Sequence, residues 1–283
     1  MDEGHLPRFD ESLSNEKGLP IEAFLAQLGP PFATFDARTQ DSGNVSYGIE
    51  FAGHRLFAKT AGDPAAPHHS THAERVDLLR NGVELRRSVS SRLLPELHGV
   101  IESPTGPGLV YAWVEGELLR APPEQRNDPN SPFQRFAALP PELIEAALDE
   151  LFLLHVELIG AGWIANDFYD GCLIYDFSAH RLHVVDLDCY RRGPFVNELG
   201  RLPGSSRFMA PEEFQKGARI DERTTVFNLA RAALLLLSRG QTAAFRGGPQ
   251  SLTVLQKASA PEPEQRFGTV AEFVAAWRAA RLG

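Results

Sequence analysis

Lysine is scarce in this chain of 283 residues: only Lys17, Lys59, Lys216 and Lys257 occur among 28 basic residues, the remainder being arginine. A lysine at a patterned position is therefore less readily explained as surface filler. Basic charge as a whole is also short, since 28 Lys+Arg against 37 Asp+Glu leave 28 − 37 = −9. That balance argues against a nucleic-acid partner held by phosphate neutralisation. Long apolar runs are missing: the longest, Leu109–Val114 and Ala232–Leu237, have six residues, whereas a bilayer-spanning helix takes roughly 20. No membrane association is expected. Cys172 and Cys189 are the only cysteines and form no C-x-x-C, which excludes a disulfide framework and points to a reducing cytoplasm. The opening Met1-Asp2-Glu3-Gly4-His5 is acidic where a secretory signal is basic and then apolar, so no export is expected.

What is present is ordinary in bulk, with 43% apolar residues, enough for one large domain or two lobes. Residues 1–31 are polar apart from the helical pattern Ile21–Leu28 and read as an extension with one docking helix. Strand-like runs then cover 32–38, 45–51 and 55–60, with turn chemistry at Asp41-Ser42-Gly43-Asn44 and Ala52-Gly53-His54. They predict an antiparallel meander. A helix is expected over 71–89 and two further strands over 97–102 and 109–114. Beyond a Pro-rich connection at 121–132, Ile144, Leu148, Leu151, His155 and Leu158 mark one face of a long helix. A hairpin over 172–176 and 181–187 follows, and helices over 211–216, 225–237, 252–257 and 270–280 close the chain. The resulting division is 1–31, 32–114 and 115–283, a β-rich part with one helix before a mainly helical part.

Three residue positions carry chemistry. Lys59 ends the run Phe57-Ala58-Lys59 and puts an ammonium into an apolar strand, where an anionic partner is required unless the side chain snorkels from an edge. Asp167, in Ala165-Asn166-Asp167-Phe168-Tyr169-Asp170-Gly171-Cys172, precedes the hairpin, and Asp186, in His183-Val184-Val185-Asp186-Leu187-Asp188, closes it. Both acids then lie at one end of the hairpin, able to share a metal or simply to serve as turn residues.

The order of these segments resembles the protein-kinase family over about residues 32–278. Phe57-Ala58-Lys59 is similar to the V-A-I-K strand, Asp167 stands where the Asp of H-R-D-x-x-x-x-N stands, and Asp186-Leu187-Asp188 where D-F-G belongs. Gly204-Ser205-Ser206-Arg207-Phe208-Met209-Ala210-Pro211-Glu212 resembles G-T-x-x-Y-M-A-P-E, Leu109–Gly116 resembles L-V-x-E-Y-V-E-G, and Thr225–Ala230 resembles D-V-W-S-L-G. The resemblance implies an α+β, bilobal protein kinase-like fold, a small antiparallel β N-lobe with one helix and a larger, mainly α-helical C-lobe. It implies ATP and Mg²⁺ as cofactors. Lys59 would hold the phosphates with Glu84 as its partner, Ala112, Val114 and Tyr111 would border the adenine, and Gly43 belongs to a degenerate Gly-rich loop. Asp167 would serve the acceptor hydroxyl and Asp186 the Mg²⁺, with Asp170 or Asp188 taking any second metal. Glu212 and Arg266 would form a structural ion pair.

The departures are local. Cys172 replaces the metal-binding Asn and is a poor ligand for a hard cation as a neutral thiol. Ala165-Asn166 replaces His-Arg, Asp41 adds charge to the Gly-rich loop, and Thr225 replaces the aspartate that braces the catalytic loop. His68, His69 and His72 lie in a connector and read as solvated. The expected function is transfer of the ATP γ-phosphoryl group to Ser/Thr hydroxyls of an unknown acceptor. The alternatives are a pseudokinase that binds nucleotide or acts as a scaffold, and an aminoglycoside-type small-molecule phosphotransferase, to which Gly171 points.

Overall fold

The structure, a computed structural model, describes residues 14–40, 42–240 and 244–282. Asp41 and the acidic start at residues 1–5 lie outside them. The chain is mixed α+β and forms two compact units: the described residues up to Arg87 with Pro95–Val114, and Ser88–Leu94 with the residues from Glu115 onward.

In the first unit, strands β1 (Ala33–Phe35), β2 (Val45–Phe51), β3 (His54–Thr60), β4 (Leu97–Ile101) and β5 (Gly108–Ala112) make one antiparallel sheet in the order β1-β2-β3-β5-β4. Ala52 and Gly53 join β2 to β3, with φ of 51° and 80°. Two consecutive left-handed residues make the two-residue turn whose twist matches that of the paired strands. Helix α1 (Ile21–Leu28) buries Ile21, Phe24 and Leu25 in a cluster with Ile49, Leu56, Ala58, Ile101 and Val110. An isolated eight-residue helix is not stable in water. Burial of three apolar side chains, roughly 1.5–3 kcal/mol each, is what keeps α1 helical and makes it part of this unit. Helix α2 (His72–Ser88) supplies Leu79 and Val83 to a second cluster with Ala61 and Leu109. The strand expected over 32–38 is shorter, ending at Phe35 before the turn that Asp36 closes with Thr39 and Arg38.

The second unit holds α3 (Pro132–Ala138), α4 (Pro141–Gly160), α5 (Glu222–Leu237), α6 (Pro249–Ala258) and α7 (Val270–Leu282). Strands β6 (Glu117–Leu118), β8 (Leu173–Asp176) and β9 (Arg181–Val184) form a small sheet, while β7 (Trp163–Ile164) pairs with β10 (Arg191–Arg192) and β11 (Phe195–Val196) with β12 (Arg219–Ile220). Helix α5 is buried nearly all round and touches α3, α4, α6 and α7, its second half being the apolar run Ala232–Leu237 and its buried polar residues Thr224, Thr225 and Asn228 each hydrogen-bonded. Its start is set by Asp221, whose carboxylate accepts the Arg223 N–H at 3.0 Å while Thr224 bonds back to the Asp221 N–H. Helix α3 lies partly inside the stretch read as a connection: Ser131 caps it and Pro132 occupies its first turn, a start signal hidden among prolines. The helix expected at 211–216 is a 3₁₀ turn over Pro211–Phe214. Among the described residues no helix is long and apolar enough to cross a membrane.

Candidate active site

Within the first unit, Lys59 sits on β3 opposite Ser46 of β2 and Leu109 of β5. Directly paired residues share a face of the sheet, so Lys59 lies on the face that carries Leu109 and the α2 cluster. The residue is 8% exposed, too buried for an unpaired ammonium, and it is not without a partner. Glu84, the expected partner, is exposed on α2 and makes no ion pair among the described residues. Tyr111 is half-buried and packs against the α2 cluster. The Ala112 N–H is engaged by the Glu96 carbonyl at 2.9 Å, whereas the Val114 N–H donates to no carbonyl among the described residues. Gly43 has φ 76°, and a Cβ there would stand 2.9 Å from the His68 ring and 3.0 Å from Arg75. That glycine is required by local packing whatever else the loop does. His68 shares its Nδ1 with Ser70, and among the described residues no group of three or more His, Cys, Asp or Glu could hold a metal.

In the second unit the β8–β9 hairpin orders the acids. Leu173 pairs with Val184, and the Val185 N–H continues the ladder to the Cys172 carbonyl at 2.9 Å. Residues before β8 and after β9 therefore meet at one end. Strand β9 stops at Val184, and Asp186 lies beyond it, exposed, with φ 60°. Asp167 has φ 65°. Left-handed backbone at a non-glycine residue costs of order 1–3 kcal/mol and persists only where the surroundings enforce it. Of the five such residues among those described, Ala52 and His180 lie in hairpin turns and Arg239 follows α5; Asp167 and Asp186 remain, both flanking this hairpin. Their charges reach the same neighbours, raising both the Cys172 thiol and the Tyr169 phenol above their ordinary values, after burial as the main cause.

The other expected ligands behave differently. Asp170 is 4% exposed, and its Oδ2 accepts from Arg207 Nη1 at 3.0 Å. Burial pushes its carboxyl above the usual range, while Arg207, Arg126 and Arg120 pull it back. Asp188 is buried, at 8% exposure. The four aspartates do not gather into one metal-holding group, and Asp170 is engaged by a guanidinium. Cys172 is buried and donates its thiol proton to the Asp167 carbonyl at 3.4 Å. A thiol held protonated by burial is not a ligand for a hard cation. Neither Cys172 nor Cys189 is in a disulfide. Gly171 has a steric reason of its own: a Cβ would stand 2.3 Å from the Tyr169 ring.

The surrounding shell positions these groups. Thr225, fully buried on α5, accepts the Ala165 N–H at 3.1 Å two residues before Asp167. Asn166 donates to the Cys189 carbonyl at 3.1 Å. Arg266 bonds both oxygens of Glu212 at 2.6 and 2.8 Å, the buried pair expected from the sequence. Three features had no sequence signal used above. Glu213, 2% exposed, accepts from the Ala210 N–H at 2.6 Å and Asn228 Nδ2 at 2.8 Å, and burial raises its pKa to about 7. His155, fully buried on α4, donates Nδ1–H to the Leu151 carbonyl and accepts the Tyr190 hydroxyl, both at 2.8 Å, and burial lowers its pKa to about 4. Arg207 joins Asp170 across 37 positions of sequence.

No protein-family model matches the chain, and no curated protein is significantly similar to it.

Proposed function

We propose that the chain has a bilobal protein kinase-like fold and transfers the γ-phosphoryl group of ATP to Ser/Thr hydroxyls. The observation that carries this reading is the pair Asp167 and Asp186, held in left-handed backbone at one end of the β8–β9 hairpin. Strain of that kind clusters at functional sites. With a nucleoside triphosphate and its divalent cation bound, the acceptor oxygen–phosphorus bond forms as the bond to the leaving diphosphate breaks. Asp167 orients the acceptor hydroxyl and takes its proton. Asp186, an exposed hard oxygen donor, would hold the Mg²⁺. Asp170, engaged by Arg207, and Cys172, a protonated thiol, do not fit a second cation, which leaves Asp188 as the candidate for one. Lys59 supplies the compact ammonium for phosphate oxygens, and the open Val114 N–H suits adenine. Two cysteines that form no disulfide suit a reducing cytoplasm.

Incubation with γ-labelled ATP and Mg²⁺ should label the chain or a generic Ser/Thr acceptor. Asp167→Asn should abolish that labelling, and undiminished labelling would sink the mechanism. The loss of a second-metal ligand at Cys172 favours one other reading, a nucleotide-binding module without transfer. A melting temperature that rises with ATP equally with and without Mg²⁺, with no labelling, identifies that case.

A further inference from the structure

Around Asp170 the second unit gathers arginines from several elements. Arg207 binds the Asp170 carboxylate at 3.0 Å and stacks over Phe133 at 4.9 Å. Arg231 on α5 spends its Nε on the Arg207 carbonyl at 3.2 Å, and burial, with the Arg207 charge as a lesser cause, lowers its pKa. Arg120 leans over the Tyr169 ring at 5.7 Å, with Nη1 3.4 Å from the phenol oxygen. Arg126 follows the 3₁₀ turn Pro123–Gln125. Arg120 and Arg126 both act on the buried Asp170 through its charge, yet neither is bonded to a carboxylate among the described residues. Glu117 is bound by Arg135, and among the described residues neither Asp128 nor Glu124 is ion-paired with Arg120 or Arg126. Tyr169 links this cluster to the candidate site, since it stands two residues after Asp167 and its hydroxyl meets Arg120 Nη1. Gly204 brings the segment bearing Arg207 to the same place, where a Cβ would stand 3.5 Å from Asp167 Oδ1.

We propose that Arg120 and Arg126 bind an anionic group flanking the acceptor hydroxyl, so that the substrate is a Ser/Thr peptide with neighbouring carboxylate side chains. This rests on the phosphotransfer reading for the hydroxyl itself, whereas the anion site rests on the arginines. Guanidinium forks match carboxylates in two parallel hydrogen bonds, which favours this assignment over a polycationic acceptor such as an aminoglycoside.

The test uses three fluorescent peptides of equal length, each with one Ser, flanked by Asp/Glu, by Gln/Ala or by Lys. Fluorescence anisotropy should give the acidic peptide about tenfold tighter binding than the neutral one, weakening with salt. Arg120→Gln/Arg126→Gln should abolish that preference with an unchanged melting curve, and the charge-retaining Arg120→Lys/Arg126→Lys should restore part of it. Equal binding of all three peptides, or a preference that survives the Gln variant, overturns the inference. Phosphate transfer is read separately with γ-labelled ATP. Equal labelling of neutral and acidic peptides also overturns it while leaving the kinase reading intact. Selective binding of the acidic peptide, with no labelling of any acceptor, keeps the anion site and removes the kinase reading.

Discussion

Removing the Arg266 guanidinium should be among the costliest single changes in the second unit. The side chain is 0% exposed and its partner Glu212 is 7% exposed. Besides the two bonds to Glu212, the guanidinium donates to the carbonyls of Ala260 and Pro261, both at 2.8 Å, and Arg223 at 3.1 Å. Arg266→Met leaves the Glu212 carboxylate in the interior with the Thr224 hydroxyl, at 2.8 Å, as its remaining side-chain donor. Breaking a buried pair from one side costs about 3–5 kcal/mol. The carbonyls add less, because Ala260 and Pro261 reach solvent. A loss of that size is a large share of a typical net stability of about 5–15 kcal/mol. Urea unfolding followed by tryptophan fluorescence is the suitable assay, since Trp163 and Trp277 are both fully buried in this unit. Glu212→Leu/Arg266→Met removes both charges together and should be more stable than Arg266→Met alone, because no carboxylate is stranded. An Arg266→Met variant within about 1 kcal/mol of wild type, or a double variant no better than the single, would refute the reasoning.

Glu213 and His155 should give opposite pH dependences. Glu213 has its folded pKa raised from 4.5 to about 7, so the folded state keeps a proton that the unfolded state has lost, and stability falls as pH rises from 4.5 through 7. Glu213→Gln, which preserves an acceptor for Ala210 and Asn228, should therefore stabilise by up to about 3 kcal/mol at pH 8 and little at pH 4; equal effects at both values would contradict this. His155 has its folded pKa lowered from 6.5 to about 4, so its contribution is complete above 6.5 and is lost as pH falls to 4, again by about 3 kcal/mol. Denaturation curves of His155→Leu between pH 7 and 4 should be flatter than those of wild type. Thr225→Val strands the buried Ala165 N–H and should cost about 1–3 kcal/mol, with Thr225→Ser close to wild type; a harmless Val would mean that the hydroxyl does not brace the Asp167 segment.

Much of the fold was legible because its signals are local. The β2 and β3 strands were bounded by a turn at Ala52-Gly53-His54, the apolar positions of α4 recurred at helical spacing, and the Glu212–Arg266 pair was implied by the family resemblance. The two-residue strands β6, β7, β10, β11 and β12 could not be read, since two residues carry no period and owe their pairing to what lies across from them. Helix α3 was masked by the prolines that begin it. At the candidate site, the hairpin placed Asp167 and Asp186 at one end from sequence alone, but their left-handed backbone could not be foreseen.

The amino-acid order by itself determined which acids flank the hairpin, that Lys59 stands inside a strand, and that a thiol occupies the position before β8. Only the tertiary structure decided what those groups do. Asp170, offered by sequence as a metal ligand, is committed to Arg207, Glu84 stays at the surface while Lys59 is buried, and Glu213 is raised toward neutrality by its surroundings. The reason is physical: strand and helix periods act between near neighbours, whereas desolvation and ion pairing depend on groups brought together from distant parts of the chain.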